Sequence, residues 1–268
     1  MIKISSKNNN IIKDLVKIRN QSRFRNIKSL FYVEGERIVF DIPHNLIEKI
    51  FVLENKINEY KDFLNNFSDN QIYVLDDKTF DKIKDTVNSQ GIIALVKYNV
   101  IDNIKNINLG NIKNVLILDN ISDPGNLGTI IRISEASNIS LIILANNCCS
   151  IYNTKVIRAC MSSIFRSNIY VSDNIIEDLV YLKENGYNLY ATILDKNAKK
   201  YIDNNYKNKN AVIMGNEANG ISDDIKSVTD NYIYIPMCGK IESLNVSMAT
   251  SIICYEIMRQ NNFYEVKR

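Results

Sequence analysis

A chain of 268 residues, 46% hydrophobic and 24% charged, has room for one large domain or two ordinary ones and can bury a core in each. The net charge is +3, and the chain has a single histidine, His44 in a Pro-His-Asn turn, which excludes histidine-based triads and multi-histidine metal sites. No apolar run approaches the ~20 residues that a membrane-spanning helix needs. Five cysteines, an odd number without a Cys-x-x-Cys pair, read as reduced, mostly buried thiols rather than a disulfide framework or zinc cage. The opening lacks the basic-then-apolar layout of a secretion signal, so a cytoplasmic location is expected and no metal is. Asn-x-Ser sequons such as those at Asn120, Asn138 and Asn245 are then incidental in an Asn-rich chain.

Residues 1–28 carry eight basic side chains against one carboxylate, Asp14, so the rest of the chain is net acidic. Such a run through a predicted helix is either a solvated face or a phosphate-contacting one. Strands are predicted at 31–33, 49–53, 72–75 and 92–96, with helical stretches at 36–41, 57–67 and 77–85. The Asn-rich, weakly patterned residues 99–112 read as a linker, although their Ile and Leu side chains can pack on a domain. Beyond them come near-continuous apolar strands at 115–118, 141–145, 189–193, 211–214 and 232–235, the pattern of a parallel sheet covered on both faces. A final helix over 244–259 sets Val246, Ala249, Ile253 and Ile257 on one stripe. The parse is two α/β domains: 1–98, the linker 99–112, and 113–268.

Three segments carry the chemistry. In the first, residues 118–132, a strand ends at Leu118, Asp123-Pro124-Gly125 turns the chain, and a helix begins near Asn126. Leu127, Ile130, Ile131 and Ser134 face inward there and leave Arg132 on another side. Ligands of open α/β sheets collect beyond such strand ends. An ordinary turn with Asn126 as helix cap and Arg132 paired to Glu135 fits the spacing equally. In the second, residues 212–221, a buried strand runs into a loop flanked by Gly215 and Gly220 that contains Asn216 and Glu217. No Lys-Ser/Thr follows, which argues against a triphosphate-binding P-loop, and the chain contains no Gly-x-Gly-x-x-Gly. A plain turn with a solvated Glu217 is the competing reading. In the third, residues 235–250, a strand end, a turn and the polar pair Ser243 and Asn245 lead into an apolar helix. Either polar residue can serve as a helix cap.

In this order, the three segments resemble the three signatures of the SpoU-type RNA 2′-O-methyltransferases of the SPOUT superfamily. The run 153–166 resembles the family's intervening segment but has Cys160 and Ser162 where Ser-x-Gly is expected. Ile4-Ser5-Ser6, Asn9, Ile12-Lys13, Arg25 and the run Leu30 to Arg37 resemble the RNA-binding extension of the ribosomal RNA branch.

The resemblance implies a carboxyl-terminal trefoil-knot domain with a parallel sheet, preceded by a small α/β RNA-binding domain. It implies S-adenosylmethionine as cofactor, structured RNA as partner and a homodimer. Cofactor contacts are expected at Gly215, Asn216, Ile235, Leu244 and Thr192, and RNA contacts at Lys13, Arg23, Arg25 and Arg158. Arg132 matches the family's catalytic arginine. A guanidinium keeps its proton, so holding an RNA phosphate and stabilising the developing alkoxide suit it better than base action. Glu217 is expected to orient Asn126 or the RNA, and Ser243 and Asn245 to position the reacting ribose. The expected reaction is methyl transfer to a ribose 2′-hydroxyl, with large-subunit ribosomal RNA favoured as substrate. The alternatives are a transfer RNA enzyme, a resistance-type ribosomal RNA enzyme and a non-catalytic RNA-binding assembly factor.

Overall fold

Short runs of Ile, Val, Leu and aromatic residues form most of the strands. The structure, a computed structural model, describes residues 1–216, 220–241 and 243–261. Chain contacts divide it into two units: one of Met1–Asn99 with Tyr152–Phe165, the other of Val100–Ile151 with the remainder.

The first unit runs β1 (Ile2–Ile4), α1 (Asn10–Asn20), α2 (Ser22–Lys28), β2 (Leu30–Glu34), α3 (Glu36–Phe40), β3 (Ile47–Leu53), α4 (Lys61–Leu64), β4 (Ile72–Leu75), α5 (Asp77–Ile83) and β5 (Ile92–Lys97). Its sheet has the order β1-β4-β3-β5-β2, with β5 antiparallel to both of its neighbours. Asn9 caps α1 by accepting from the Ile11 amide. Ile12, Leu15 and Ile18 then bury the helix's inner stripe against Tyr32, Phe51, Phe80, Leu95 and their neighbours. The helix predicted at 57–67 shrinks to α4 with turns on either side, because only Tyr60 and Leu64 of that stretch are buried.

The second unit continues with β6 (Asn114–Leu118), α6 (Pro124–Ala136) and β7 (Leu141–Ala145). After α7 (Thr154–Cys160) and a 3-10 turn (Met161–Phe165), both of which cluster with the first unit, come β8 (Ile169–Ser172), α8 (Ile175–Glu184), β9 (Asn188–Thr192), β10 (Lys199–Lys200), β11 (Asn210–Met214), α9 (Asp223–Val228), β12 (Asn231–Tyr234) and α10 (Val246–Gln260). The seven strands are all parallel, in the order β10-β12-β9-β11-β6-β7-β8. Strand β11 enters between β9 and β6, so the two elements that precede the first and second signature loops become neighbours. Leu118 pairs with Met214 in that register. Residues 99–112 do more than span a gap: Ile104, Leu109 and Ile112 are buried in this unit's core. The Tyr187 hydroxyl donates to the Ile112 carbonyl at 2.6 Å. No helix among the described residues is long and apolar enough to cross a membrane.

Candidate active site

The first signature loop is held open at the carboxyl end of β6 by local hydrogen bonds. Asp123 caps α6, its Oδ1 accepting from the Asn126 amide at 2.7 Å, and Pro124 takes the first helical position, where no amide donor is needed. The cap is thus Asp123 and not Asn126, which frees the Asn126 side chain for other partners. Asn120 adopts a left-handed backbone (φ 56°), a conformation that Asn tolerates better than most residues. The Cys148 thiol lies under the loop, donating to the Leu118 carbonyl and accepting from the Ile121 amide, each at 3.3 Å. Burial pushes that thiol up to about 11, so it stays protonated and serves as a strut.

Two side chains tie this loop to the second signature. Asp119, 3% exposed, accepts from the Ser222 amide at 3.0 Å and from Asn147 Nδ2 at 3.2 Å. Asn216 Nδ2 donates to the Asn120 carbonyl at 2.9 Å. The second loop closes on itself, with Asn216 and Gly220 exchanging backbone hydrogen bonds of 3.0 and 2.9 Å. Only glycine permits this closure at position 215. A Cβ there would lie 2.4 Å from the Gly220 backbone and 2.7 Å from Ile221 Cγ1. Glu217 lies outside the described residues.

The third signature delivers Asn245 as the cap of α10. Its Oδ1 accepts from the Ser247 amide at 2.9 Å and the Ser247 hydroxyl at 2.6 Å. Its Nδ2 reaches back to Asn126 Oδ1 at 3.0 Å, joining residues 119 positions apart. One polar side chain therefore both starts α10 and links the first loop to the third.

Between these loops, at the carboxyl ends of β9, β11 and β12, lies a pocket of about 490 Å³. Thr192, Gly215, Asn216, Ile235, Ser243 and Leu244 all line it. Ile193, Ile221, Ile233, Val246 and Ile253 give it apolar walls. Two charged side chains on the lining, Asp195 and Lys226, were not anticipated from the sequence. Lys226 is already paired to Asp223 at 2.8 Å, which leaves Asp195 as the carboxylate whose charge the pocket carries among its described residues. The signal for Asp195 was its place three residues beyond Thr192, past the end of β9.

Arg132 stands apart from this group. It is exposed on α6, and no hydrogen bond or ion pair joins it to a described residue. The Glu135 carboxylate pairs with Arg166 rather than with Arg132. Lys13 and Arg23 are exposed in the first unit. Arg158 forms an ion pair with Asp85. Arg25, expected to be available for RNA contact, is instead 5% exposed. Its guanidinium donates to the carbonyls of Ile18 (3.0 Å) and Arg19 (3.1 Å), closing the carboxyl end of α1, and burial lowers its pKa. Among the described residues no cluster of His, Cys, Asp and Glu could hold a metal ion.

The SpoU rRNA Methylase family matches residues 113–255, more than half of the chain, and covers all three loops. The chain belongs to the SpoU rRNA methylase family. A second family, the MRM3-like substrate binding domain, matches residues 9–94 of this SpoU methylase. The protein is 28% identical over 96% of its length to the 23S rRNA (guanosine(2553)-2′-O)-methyltransferase RlmP of Bacillus subtilis, of which it covers 99%. It is 36% identical over 55% of its length to an uncharacterized tRNA/rRNA methyltransferase of Borreliella burgdorferi, covering 64% of that protein. Its fold resembles the crystal structure of an AdoMet-bound rRNA methyltransferase from Sinorhizobium meliloti, with a TM-score of 0.85, 26% identity and coverage of 96% of this chain and 97% of that one.

Proposed function

We propose that this protein transfers the methyl group of S-adenosylmethionine to the 2′-hydroxyl of a ribose in large-subunit ribosomal RNA. The observation that carries this is the pocket assembled from the family's second and third loops, with the Asn126–Asn245 bond at the first. The residues present fit such a cofactor. The volume lies within the usual small-molecule range, Gly215 lets backbone approach a flat base, and Asp195 answers a positive charge. When bound, S-adenosylmethionine supplies an electrophilic methyl group on a sulfonium. Thr192, Gly215, Asn216, Ile235 and Leu244 hold the cofactor.

Asn126, Ser243 and Asn245 orient the acceptor ribose. Arg132, an exposed guanidinium, holds an RNA phosphate and stabilises the oxyanion as the 2′-hydroxyl gives its proton to that phosphate. Glu217 orients Asn126 or the RNA. Lys13 and Arg23 contribute phosphate contacts from the first unit, and Arg158 does so by exchanging Asp85 for RNA.

The protein works as a cytoplasmic homodimer. In support, none of its five cysteines forms a disulfide, and α10 exposes Met248 (61%) and Tyr255 (46%), two turns apart on one side. A monodisperse monomer by light scattering at micromolar concentration would count against the dimer.

Calorimetry should show S-adenosylmethionine binding to the purified protein. Sites of 2′-O-methylation in 23S rRNA should then be mapped with and without the gene, beginning at the counterpart of guanosine 2553, the nucleotide in RlmP's name. Arg132→Ala should keep cofactor affinity and lose turnover by roughly 10²-fold or more, the scale of removing one oxyanion-stabilising donor. Wild-type turnover in that variant would overturn the role given to Arg132.

A further inference from the structure

The eight basic side chains of residues 1–28 do not all face solvent in search of a partner. Lys3 is paired to Glu54, Arg19 donates to the carbonyls of Ile83 and Lys84, and Arg25, on α2, is buried against the end of α1. That leaves Lys7, Lys13, Lys17, Arg23 and Lys28, none of which forms an ion pair with a described residue. Two of these five are held in place by an aromatic ring. The ammonium of Lys17, on α1, lies 5.2 Å from the centroid of Phe24, and that of Lys28, one turn beyond Phe24 on α2, lies 5.7 Å from it. Phe24 is itself anchored, packing its partly buried ring against the first unit's core.

Two cations on one ring cannot be more than about 11 Å apart, and each is attracted to the ring's π face. No ion pair offsets their mutual repulsion, since neither pairs with a carboxylate among the described residues, Asp14 included. A pair of like charges ordered in advance, exposed and without a counter-ion, suits a strand that carries regularly spaced anions. Holding both side chains on the ring also lowers the entropy cost of binding. We propose that Lys17 and Lys28, splayed across Phe24, form a clamp for neighbouring phosphates of one strand of the substrate RNA. This rests on the RNA-methyltransferase reading and adds to it a specific surface on α1 and α2.

The test uses the full-length protein and a fluorescein-labelled RNA stem-loop, with affinity measured by anisotropy across a sodium chloride series. Each phosphate contact contributes about 0.7–0.9 to the slope of log affinity against log salt. Lys17→Gln and Lys28→Gln should each flatten the slope by about that amount, the double variant by about twice it, and Lys→Arg at either site should restore it. Phe24→Leu, which keeps the apolar packing and removes the ring, should weaken binding although both lysines remain. Should that variant fail to fold, the two surface lysine variants still decide the matter.

Calorimetric affinity for S-adenosylmethionine should be unchanged in the lysine variants, which separates an RNA defect from misfolding. If the slope stays at the wild-type value in the double lysine variant while the wild type binds RNA, the clamp is wrong and the enzyme reading stands. A wild type without salt-dependent RNA binding overturns both. Loss of binding to polyglutamate with RNA binding intact would assign the surface to an acidic protein instead and overturn the clamp.

Discussion

Asn245 does two jobs with two different atoms. Its Oδ1 caps α10, and its Nδ2 holds Asn126 Oδ1. The two can be separated chemically. Asn245→Asp keeps an oxygen for the cap but no donor for Asn126, whereas Asn245→Ala removes both. The alanine variant should lose about 1 kcal/mol of stability, the usual value of a cap, together with methyl transfer. The aspartate variant should melt close to the wild type and still be impaired in transfer. Differential scanning fluorimetry alongside a tritium-transfer assay checks this, and an aspartate variant with full activity would dismiss the Asn126 link. At this scale the sequence was informative where a residue type is tied to backbone geometry, as at Gly215 or at the polar residue before α10. The burial of Arg25 was not legible, because a local reading cannot see that the guanidinium turns inward to the last carbonyls of α1.

The β8–α8 element contains a buried acid that the proposed chemistry does not use. Asp178 is 7% exposed and accepts from the Ser172 hydroxyl, yet burial raises its carboxyl pKa above the ordinary aspartate range. Between the unfolded value near ~4 and the raised folded value, the native state keeps a proton that the unfolded chain has released. Stability therefore falls as pH rises through that window and stays lower above it. Asp178→Asn should raise the melting temperature by roughly 2–4 °C at pH 8, with the gain vanishing near pH 4. A gain of equal size at both pH values would contradict this origin. The most apolar strands were the most legible elements, whereas β8 and α8, also partly buried, were not anticipated. The five apolar strands predicted in the second unit all form, because strands covered on both faces read as unbroken apolar runs. The two-residue β10, both of whose lysines are exposed, carries no such run and was not anticipated.

For the whole molecule, the segment 152–165 bears on how the chain can be cut. Although it lies between β7 and β8 in sequence, it belongs to the first unit. Tyr152 stacks on Tyr98 at 3.8 Å and on Phe31 at 4.6 Å, and its hydroxyl accepts from the Asn99 amide at 3.0 Å. Deleting residues 1–98, the natural way to isolate a catalytic domain, therefore strips Tyr152 and Phe165 of their ring partners. The truncated protein should bind an apolar dye and aggregate, and Tyr152→Ser with Phe165→Ser should relieve both. A monodisperse truncation without dye binding would speak against this.

The sequence by itself determined what each short stretch could be. It marked the buried parallel strands, the glycine that must carry no side chain, the polar cap before the last helix and the resemblance that these make together, since all of these depend on neighbours within a few residues. Only the tertiary structure decided which distant residues meet. Asn126 reaches Asn245, Asp119 holds Ser222, Asp195 comes to line the pocket, and Arg25 is spent on a helix end. The pairings of the second unit follow from the insertion of β11 between β9 and β6 and the return of α10 onto α6, whereas that of Arg25 follows from the packing of α2 on α1.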